Sequence, residues 1–452
     1  MRGLRLNAIA GPILGEFLLA MTVVTVGLWL ASRTSDVAAG AFGLAHQTIE
    51  SLAVLFRVLA IGIGAVVAQA LGGQRTREAE RAALAGLAAA TWIGLFAAAA
   101  VGLAHEHMLR TLNAPAQVLQ VAGPYLQALA PGLLLDAYNL TMASVLRAHL
   151  RARETLLVML AMHAAHLGLA AVLMSGVAGW GGLGLTGFAV AYAVSRAFGL
   201  VLHLWLWRRH LHIRTRPAHW WRPHAGSLAP ALAIGVPGAA LEMGYRLAFL
   251  ASLAAGAKLG VAALVTQAYT LQTLRYVLLV SLAIGWAVEI MVGRLTGAGD
   301  FRGAHQLVRK GIRNGMLASV GLALAAAVAA PWLMRVFTQD AQVVAAAQWL
   351  LWISLALEAG RVLNLVGIGA LRATGDAVYP VAASLASLVL VLGVGSTLLA
   401  QRYGLVGIWI AYVVDEWIRG ALMYWRWEAR GWVQHARATH RRLQQPRSGT
   451  FL

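Results

Sequence analysis

Runs of about 20 or more residues with almost no charge follow one another along this chain, separated by short polar turns. Each is long enough, at 1.5 Å per residue, to cross the ~30 Å hydrocarbon core of a bilayer as a helix. A segment in lipid must satisfy its own backbone N–H and C=O groups, and an α-helix does so internally. The expected fold is therefore an all-α polytopic membrane protein. Twelve spans are expected, near residues 8–31, 41–71, 83–106, 119–146, 155–176, 183–207, 227–255, 262–293, 312–335, 343–371, 379–400 and 404–425. At 60% hydrophobic and 12% charged, the chain has too little charged surface for a soluble protein of its size. The first run, Leu6 to Ala31, is too long for a signal-peptide core and lacks a clear cleavage site, so it reads as a mature span.

The chain also repeats itself. Pro12, Asn139 and Leu146-Arg147-Ala148 recur 225 residues later as Pro237, Asn364 and Leu371-Arg372-Ala373. Gly184-Leu185 and Ala191-Tyr192 recur at an offset of 220 as Gly404-Leu405 and Ala411-Tyr412. A duplicated hydrophobic chain points to a transporter whose two homologous bundles rock around a central site. The expected organisation is a six-helix lobe over 1–210, a cytoplasmic linker over 211–226, a second six-helix lobe over 227–428 and a basic tail over 429–452.

The net charge of +19 comes almost wholly from arginine; Lys258 and Lys310 are the only lysines. One set of loops holds Arg2, Arg5, Arg75, Arg77, Arg81, Arg147, Arg151, Arg153, the cluster from Arg208 to Arg222, Arg294 to Arg313, and the tail from Arg426. The opposite loops hold little more than Arg33, Arg110, Lys258, Arg335 and Arg402. The positive-inside rule then puts both termini in the cytoplasm. The clusters read as orientation signals and anionic-lipid contacts, not as a nucleic-acid site. Trp220 and Trp221, in the polar linker, are expected at the membrane interface. The absence of cysteine excludes disulfides, thiolate metal sites and cysteine nucleophiles.

Several segments, taken in order, resemble the MATE family (multidrug and toxic compound extrusion) of efflux transporters, bacterial branch. Span 7 opens with Ile234-Gly235-Val236-Pro237, followed by Glu242. Span 8 ends in Val292-Gly293-Arg294-Leu295-Thr296-Gly297-Ala298-Gly299-Asp300. Span 10 carries Glu358-Ala359-Gly360-Arg361, Asn364 and Leu371-Arg372-Ala373-Thr374-Gly375-Asp376, and span 12 carries Asp415-Glu416-Trp417-Ile418-Arg419-Gly420. The resemblance covers nearly the whole chain and implies two six-helix lobes and export of organic compounds. One departure stands out. The family's usual first-span aspartate, about fifteen residues after the proline, falls on Gly27 here.

A charge at the bilayer centre costs at least ~2.5–3.5 kcal/mol, so span charges face the protein interior or a cavity. The first half has Glu50, Arg57, Asp136 and Arg196; the second has Glu242, Arg246, Arg275, Glu289, Glu358, Arg361, Asp415, Glu416 and Arg419. Glu242 with Arg246, Glu358 with Arg361 and Glu416 with Arg419 have the spacing of one helix face. Such pairs either neutralise charge within the span or exchange a proton against an arginine or a cationic substrate. The candidate ion-coupling residues are Glu242, Glu358, Asp136, Asp415 and Glu416. The candidate substrate-cavity residues are Arg361, Asn364, Asn139, Glu50 and Gln272. At offset 225 Asp136 is equivalent to Arg361 and Asn139 to Asn364. That register suggests that Asp136 and the Glu358-Arg361-Asn364 face line one cavity from opposite lobes, or that the asparagines bond between helices. His163 and His166 read as buried, hydrogen-bonded histidines, with no carboxylate to complete a metal set.

No G-x-x-x-x-G-K-[ST], H-E-x-x-H or G-x-S-x-G motif occurs, which argues against an ATP-driven engine and against an enzyme. The reading is a secondary antiporter exporting organic, often cationic and amphipathic, compounds against protons, with sodium as the other candidate. It needs no cofactor beyond the coupling ion. Its partners are a small-molecule substrate and membrane lipid, and it acts as a monomer. The alternative is a flippase for a lipid-linked oligosaccharide or peptidoglycan precursor, whose pyrophosphate would suit cavity arginines.

Overall fold

The computed structural model describes residues 6–111, 115–175 and 182–445. Arg2, Arg5 and the end of the basic tail lie outside the described residues. Within them the chain is helical almost throughout and contains no strand. The first half forms α1 (Asn7–Thr34), α2 (Asp36–Gly72), α3 (Thr76–Thr111), α4 (Ala116–Ala148), α5 (Ala152–Ser175) and α6 (Gly184–Leu206). A π-helical turn, Trp207–Leu211, follows α6, and the linker contains the short α7 (Ala218–Trp221). The second half forms α8 (Ala225–Ala257), α9 (Val261–Ala298), α10 (Phe301–Arg335), α11 (Ala341–Thr374) and α12 (Val378–Ser387). It ends with a π-helical stretch, Leu388–Gly395, then α13 (Ser396–Glu428) and α14 (Val433–Gln444).

Eleven helical stretches among the described residues are long and apolar enough to cross a membrane, and the last, Val378–Glu428, runs for 51 residues. At 1.5 Å per residue that is about 77 Å, more than twice a bilayer core. It breaks at Gly404, whose φ of 59° and ψ of −141° are not helical. It therefore holds two spans, and the twelve expected spans are present. Several helices outrun the apolar segment that defines them. α10 begins at Phe301, eleven residues before the expected span, because Asp300 caps it: the carboxylate accepts from Gly303 N–H at 2.8 Å.

The sequence repeat reappears as backbone geometry. α2 ends with Gln74 in the left-handed region (φ 59°) and α9 with Gly299 (φ 76°), 225 positions later. α4 and α11 end the same way, at Leu150 (φ 64°) and Gly375 (φ 95°), again 225 apart. Each stop makes the same two hydrogen bonds. Leu150 and Arg151 N–H donate to the carbonyls of Arg147 and Leu146 at 2.8 and 3.0 Å, and Gly375 and Asp376 donate to Arg372 and Leu371 at 3.0 Å each. This is the Schellman pattern, which satisfies carbonyls left over at a helix end. The Gly299-Asp300 element of the span-8 motif is thus a left-handed stop followed directly by a helix cap.

The chain divides into two compact units. One comprises Gly15–Val67 and Thr76–Gly235; the other comprises the chain from Val236 together with Ala68–Arg75 and the stretch up to Leu14. In the first unit the linker lies against the helices: Trp92 Nε1 donates to Trp221 O at 3.0 Å, and the Tyr138 and Trp220 rings meet edge to face at 4.9 Å. In the second, Leu274, Val277, Leu350, Leu388 and Trp409 form one apolar cluster, with Trp409 Nε1 bonded to Ser354 Oγ at 2.9 Å. Outward faces are apolar too: Leu103 is 87% exposed and α10 exposes Leu317, Val328 and Trp332. A face of this kind calls for lipid rather than water.

Gln74 is exposed, so its side chain contributes little packing while its backbone holds a costly conformation. Gln74→Gly is expected to stabilise the protein by about 1 kcal/mol, the usual cost of a left-handed non-glycine residue. Gly375→Ala is expected to destabilise it by at least that much, because the new Cβ also meets Thr439 Oγ1 at 2.9 Å. Thermal unfolding in detergent, followed by tryptophan fluorescence, should move the midpoint in opposite directions for the two variants.

Candidate functional site

Glycines decide which helices touch. On α11 and α13, a Cβ on Gly420 would meet Gly360 O at 2.7 Å, and one on Gly360 would meet Trp417 N at 3.0 Å. Without those side chains the two backbones come together. This brings Glu358, Arg361 and Asn364 of α11 against Asp415, Glu416 and Arg419 of α13. In the first unit, Gly132 and Gly199 do the same for α4 and α6. A Cβ at Gly132 would strike the Tyr192 ring at 2.4 Å, and one at Gly199 would meet Asn139 Oδ1 at 2.9 Å.

The charges brought together in the second unit form one buried network. Arg361 Nη1 bonds Glu358 Oε1, and Arg361 Nε reaches Glu416 Oε1 at 3.5 Å. Arg419 Nη2 lies 3.0 Å from Glu416 Oε1 and 2.5 Å from Asp415 Oδ2. Asn364 Nδ2 donates to Glu416 Oε2 at 2.8 Å, and Ser387 Oγ, just before the π-helical stretch, donates to Asp415 Oδ1 at 2.7 Å. Glu358 and Asp415 side chains are 0% exposed, and the other three charged side chains are no more than 8% exposed. Three carboxylates therefore face two guanidinium groups away from water. Among the described residues, two acceptors of this network have no donor, Glu358 Oε2 and Asn364 Oδ1. Outside this network Glu242 bonds Arg246 at 3.2 Å, both one-third exposed, and buried Glu289 bonds Arg372 at 2.7 Å. Gln272 is half-buried on α9.

The first unit holds balanced pairs instead. Arg196 Nε lies 2.7 Å from Asp136 Oδ1; the arginine is 9% exposed and the aspartate 34%. The guanidinium also covers the Tyr192 ring at 4.5 Å. Asn139 Nδ2 donates to the carbonyls of Leu135 and Arg196 at 2.9 and 2.8 Å, and its Oδ1 faces His203 Nδ1 at 2.9 Å. Asn139 thus bonds α4 to α6. Glu50 pairs with Arg57 at 3.3 Å, seven residues along α2. Glu16 is buried against Arg147 at 2.7 Å and accepts from Thr155 Oγ1. Arg147, read from the sequence as a loop charge, is only 5% exposed, because α4 extends through it before stopping.

Gly27, where the family's usual acid would stand, has no room for one. A Cβ there would lie 2.8 Å from Phe42 Cζ and 2.9 Å from Phe188 Cζ. Those rings meet edge to face at 5.3 Å, and His166 adds a third ring 4.5 Å from Phe188. His163 is buried as expected but not hydrogen-bonded: neither ring nitrogen has a partner among the described residues.

The helix-face spacing rule identified Glu242–Arg246, Glu358–Arg361 and Glu416–Arg419. The bridges between helices escaped it. One signal for them was present: the offset of 225 carries Asp136 to Arg361, and the offset of 220 carries Arg196 to Glu416. Each unit therefore has an ion pair between equivalent helices, with the charges exchanged.

The MatE family model matches residues 12–174 and 239–397, most of both halves. The chain is 27% identical over 438 residues to a protein described as the uncharacterized transporter YisQ of Bacillus subtilis strain 168, covering 96% of each. It is 28% identical over 435 residues to a protein of Bradyrhizobium diazoefficiens described as a probable multidrug resistance protein, NorM, covering 92% of this chain and 91% of the relative. The fold matches the crystal structure of the Vibrio cholerae MATE transporter VcmN in its bent form, with a TM-score of 0.83 at 19% identity, over 96% of this chain and 97% of that one.

Removing one member of the α11–α13 network should cost far more than removing two. Arg361→Met leaves Glu358 buried without a guanidinium and Glu416 with Arg419 alone, at an expected cost of about 3–5 kcal/mol. Arg361→Met combined with Glu358→Gln restores the wild-type balance and should recover most of that loss. The apparent melting temperature and monodisperse yield in detergent would show it; equal losses in both variants would count against charge balance as the cause.

Proposed function

Because this chain belongs to the MATE family of multidrug efflux transporters, we propose that it is a proton-coupled antiporter working by alternating access. Its cargo would be organic, amphipathic and often cationic compounds. The family is one of transporters rather than enzymes. In this reading the protein is a monomer in the bacterial inner membrane, with both termini cytoplasmic by the positive-inside rule. It needs no cofactor beyond the coupling ion and no nucleic acid.

The observation that carries the proton assignment is the charge count in the α11–α13 network. Three buried carboxylates against two guanidinium groups leave one negative charge uncompensated. The unengaged acceptor Glu358 Oε2 is where one proton restores both the charge balance and a donor. A sodium ion takes more oxygen ligands than Glu358 Oε2 and Asn364 Oδ1 offer. Asp415 and Glu416 hold the two arginines in place. Glu242, Asp136 and Glu50, each partly exposed beside an arginine, are the groups that meet solvent and a cationic substrate. Arg361, Asn364, Asn139 and Gln272 complete the polar set.

The flippase reading asks for arginines free to hold a pyrophosphate. Of the six span arginines, Arg57, Arg196, Arg246, Arg361 and Arg419 are each engaged by a carboxylate and, among the described residues, Arg275 alone is not; the weight of engaged arginines favours the antiporter.

The test is efflux of a cationic dye from proteoliposomes under an imposed pH or sodium gradient. A pH gradient should drive the dye and a sodium gradient should not. Glu358→Gln, which fixes the side chain in an uncharged, donor-bearing form, should abolish the pH-driven component while preserving dye binding. Movement driven by sodium alone would reassign the ion, and no movement under either gradient would overturn antiport. Asp136→Asn with unchanged coupling and substrate range would remove Asp136 from the mechanism.

A further inference from the structure

The second unit holds a groove between the start of α1 and the middles of α9 and α10. Its volume is about 600 Å³, the size of an ordinary small-molecule site. Leu14, Val280, Ile284 and Leu317 make its walls apolar, and Leu317 is 73% exposed. Gly11 opens the α1 side: a Cβ added there would meet nothing within 4 Å.

The groove has a polar end. Its only polar lining residues among those described are Asn7 and Asn314. Each begins the stretch that its helix contributes, Asn7 ahead of Leu14 and Asn314 ahead of Leu317. α1 and α10 are the first and ninth spans and so run the same way, which puts both amides at one end. Neither amide has a hydrogen-bond partner among the described residues. Lys310 lies one turn before Asn314 on the same face of α10, and Arg313 adjoins it. Both cations are exposed, and among the described residues neither has a carboxylate within ion-pair distance. Beyond Asn314, α10 carries no charge until Arg335. A cationic mouth thus leads into an apolar body.

We propose that this groove binds an acyl chain of an anionic glycerophospholipid, with the phosphate held by Lys310 and Arg313 and the glycerol esters met by Asn7 and Asn314. The arginine fork matches two phosphate oxygens, the lysine adds a point charge, and the amides have N–H groups to give to ester carbonyls. The occupant follows from charge and shape together. A cationic cargo is repelled at the mouth, and a free phosphate has no use for the apolar walls. An amphiphile with an anionic head and an apolar tail matches both ends, and a headgroup with net negative charge gains more than a zwitterionic one.

The experiment is native mass spectrometry of the delipidated full-length protein, titrated with phosphatidylglycerol or with phosphatidylcholine of identical chains. The first phosphatidylglycerol should bind about tenfold more tightly than the first phosphatidylcholine, the scale of one charge-assisted contact. Gly11→Leu, which places a side chain in the open groove, should remove that tight first site. Lys310→Gln combined with Arg313→Gln, two exposed positions, should erase the preference and leave phosphatidylcholine binding unchanged. Glycerol 3-phosphate, a headgroup without chains, should not displace the lipid. Equal binding of the two lipids by the wild type would overturn the proposal. So would a preference that survives in both variants, or displacement by glycerol 3-phosphate, which would reassign the site to a free phosphate. If Gly11→Leu abolished binding of a cationic dye and left phosphatidylglycerol bound, the groove would belong to the cargo instead. No gradient is imposed, so the result stands apart from antiport.

Discussion

The constraint on which the structure depends is that a charge inside a bilayer must carry its own compensation. Lipid tails are as apolar as leucine, so no hydrophobic drive tells one span which neighbour to choose. In this chain the arginine–carboxylate pairs supply much of that information. Arg196 and Asp136 tie α6 to α4, Arg361 and Glu416 tie α11 to α13, and Arg372 and Glu289 tie α11 to α9. Glu16 ties α1 to both α4 and α5 through Arg147 and Thr155. Each bridge is worth less as attraction than as a penalty on the wrong arrangement, because a separated partner would be left buried and uncompensated. The glycines at 132, 199, 360 and 420 then let the backbones approach closely enough for the bridges to close.

The duplication shows which features that constraint protects. Helix stops are kept in register: the left-handed residues at 74 and 299, and at 150 and 375, end equivalent helices with equivalent hydrogen bonds. The ion pair between the fourth and sixth spans of each half is kept in position but not in sign. An ion pair holds two helices equally well whichever helix carries the cation, so exchange of the partners leaves the frame intact. Exchange does alter everything around the pair. In the first unit the arginine comes from α6 and covers Tyr192, with the aspartate left partly exposed. In the second the arginine comes from α11 and recruits a second carboxylate, Glu358, on its own helix.

Most of the fold was legible in the sequence, because span length, apolar runs and loop charge obey rules that act along the chain. Twelve spans and the repeat could be read directly. Helix ends were less legible: the start of α10 depends on Asp300 as a cap, and α4 runs through Arg147 because its stop comes at Leu150. The site was legible only where partners share a helix, as with Glu358 and Arg361. The bridge from Arg196 to Asp136 spans 60 positions and obeys no spacing rule. Applying both repeat offsets together would have exposed it as the counterpart of Arg361 and Glu416. The loss of the family's first-span acid at Gly27 was visible in the sequence. Its replacement by the rings of Phe42, Phe188 and His166 was not, since those side chains come from three other helices.

The two units differ in the parity of their charges. Asp136 bonds Arg196 and Glu50 bonds Arg57, one acid to one base in each of these pairs, and the aromatic packing at Gly27 leaves no place there for a further acid. A balanced pair has nothing to gain from a proton, since protonating the carboxylate strands the arginine. The network of Glu358, Arg361, Asp415, Glu416 and Arg419 is odd, and one proton completes it. Loaded with that proton it is neutral and indifferent to the membrane potential. Without it the network carries a unit charge, on which the potential acts with ~2.3 kcal/mol per 100 mV. In the proposed proton-coupled cycle, coupling by a single group would follow from this unequal count of acids and bases, which lies in the α11–α13 network of the second unit.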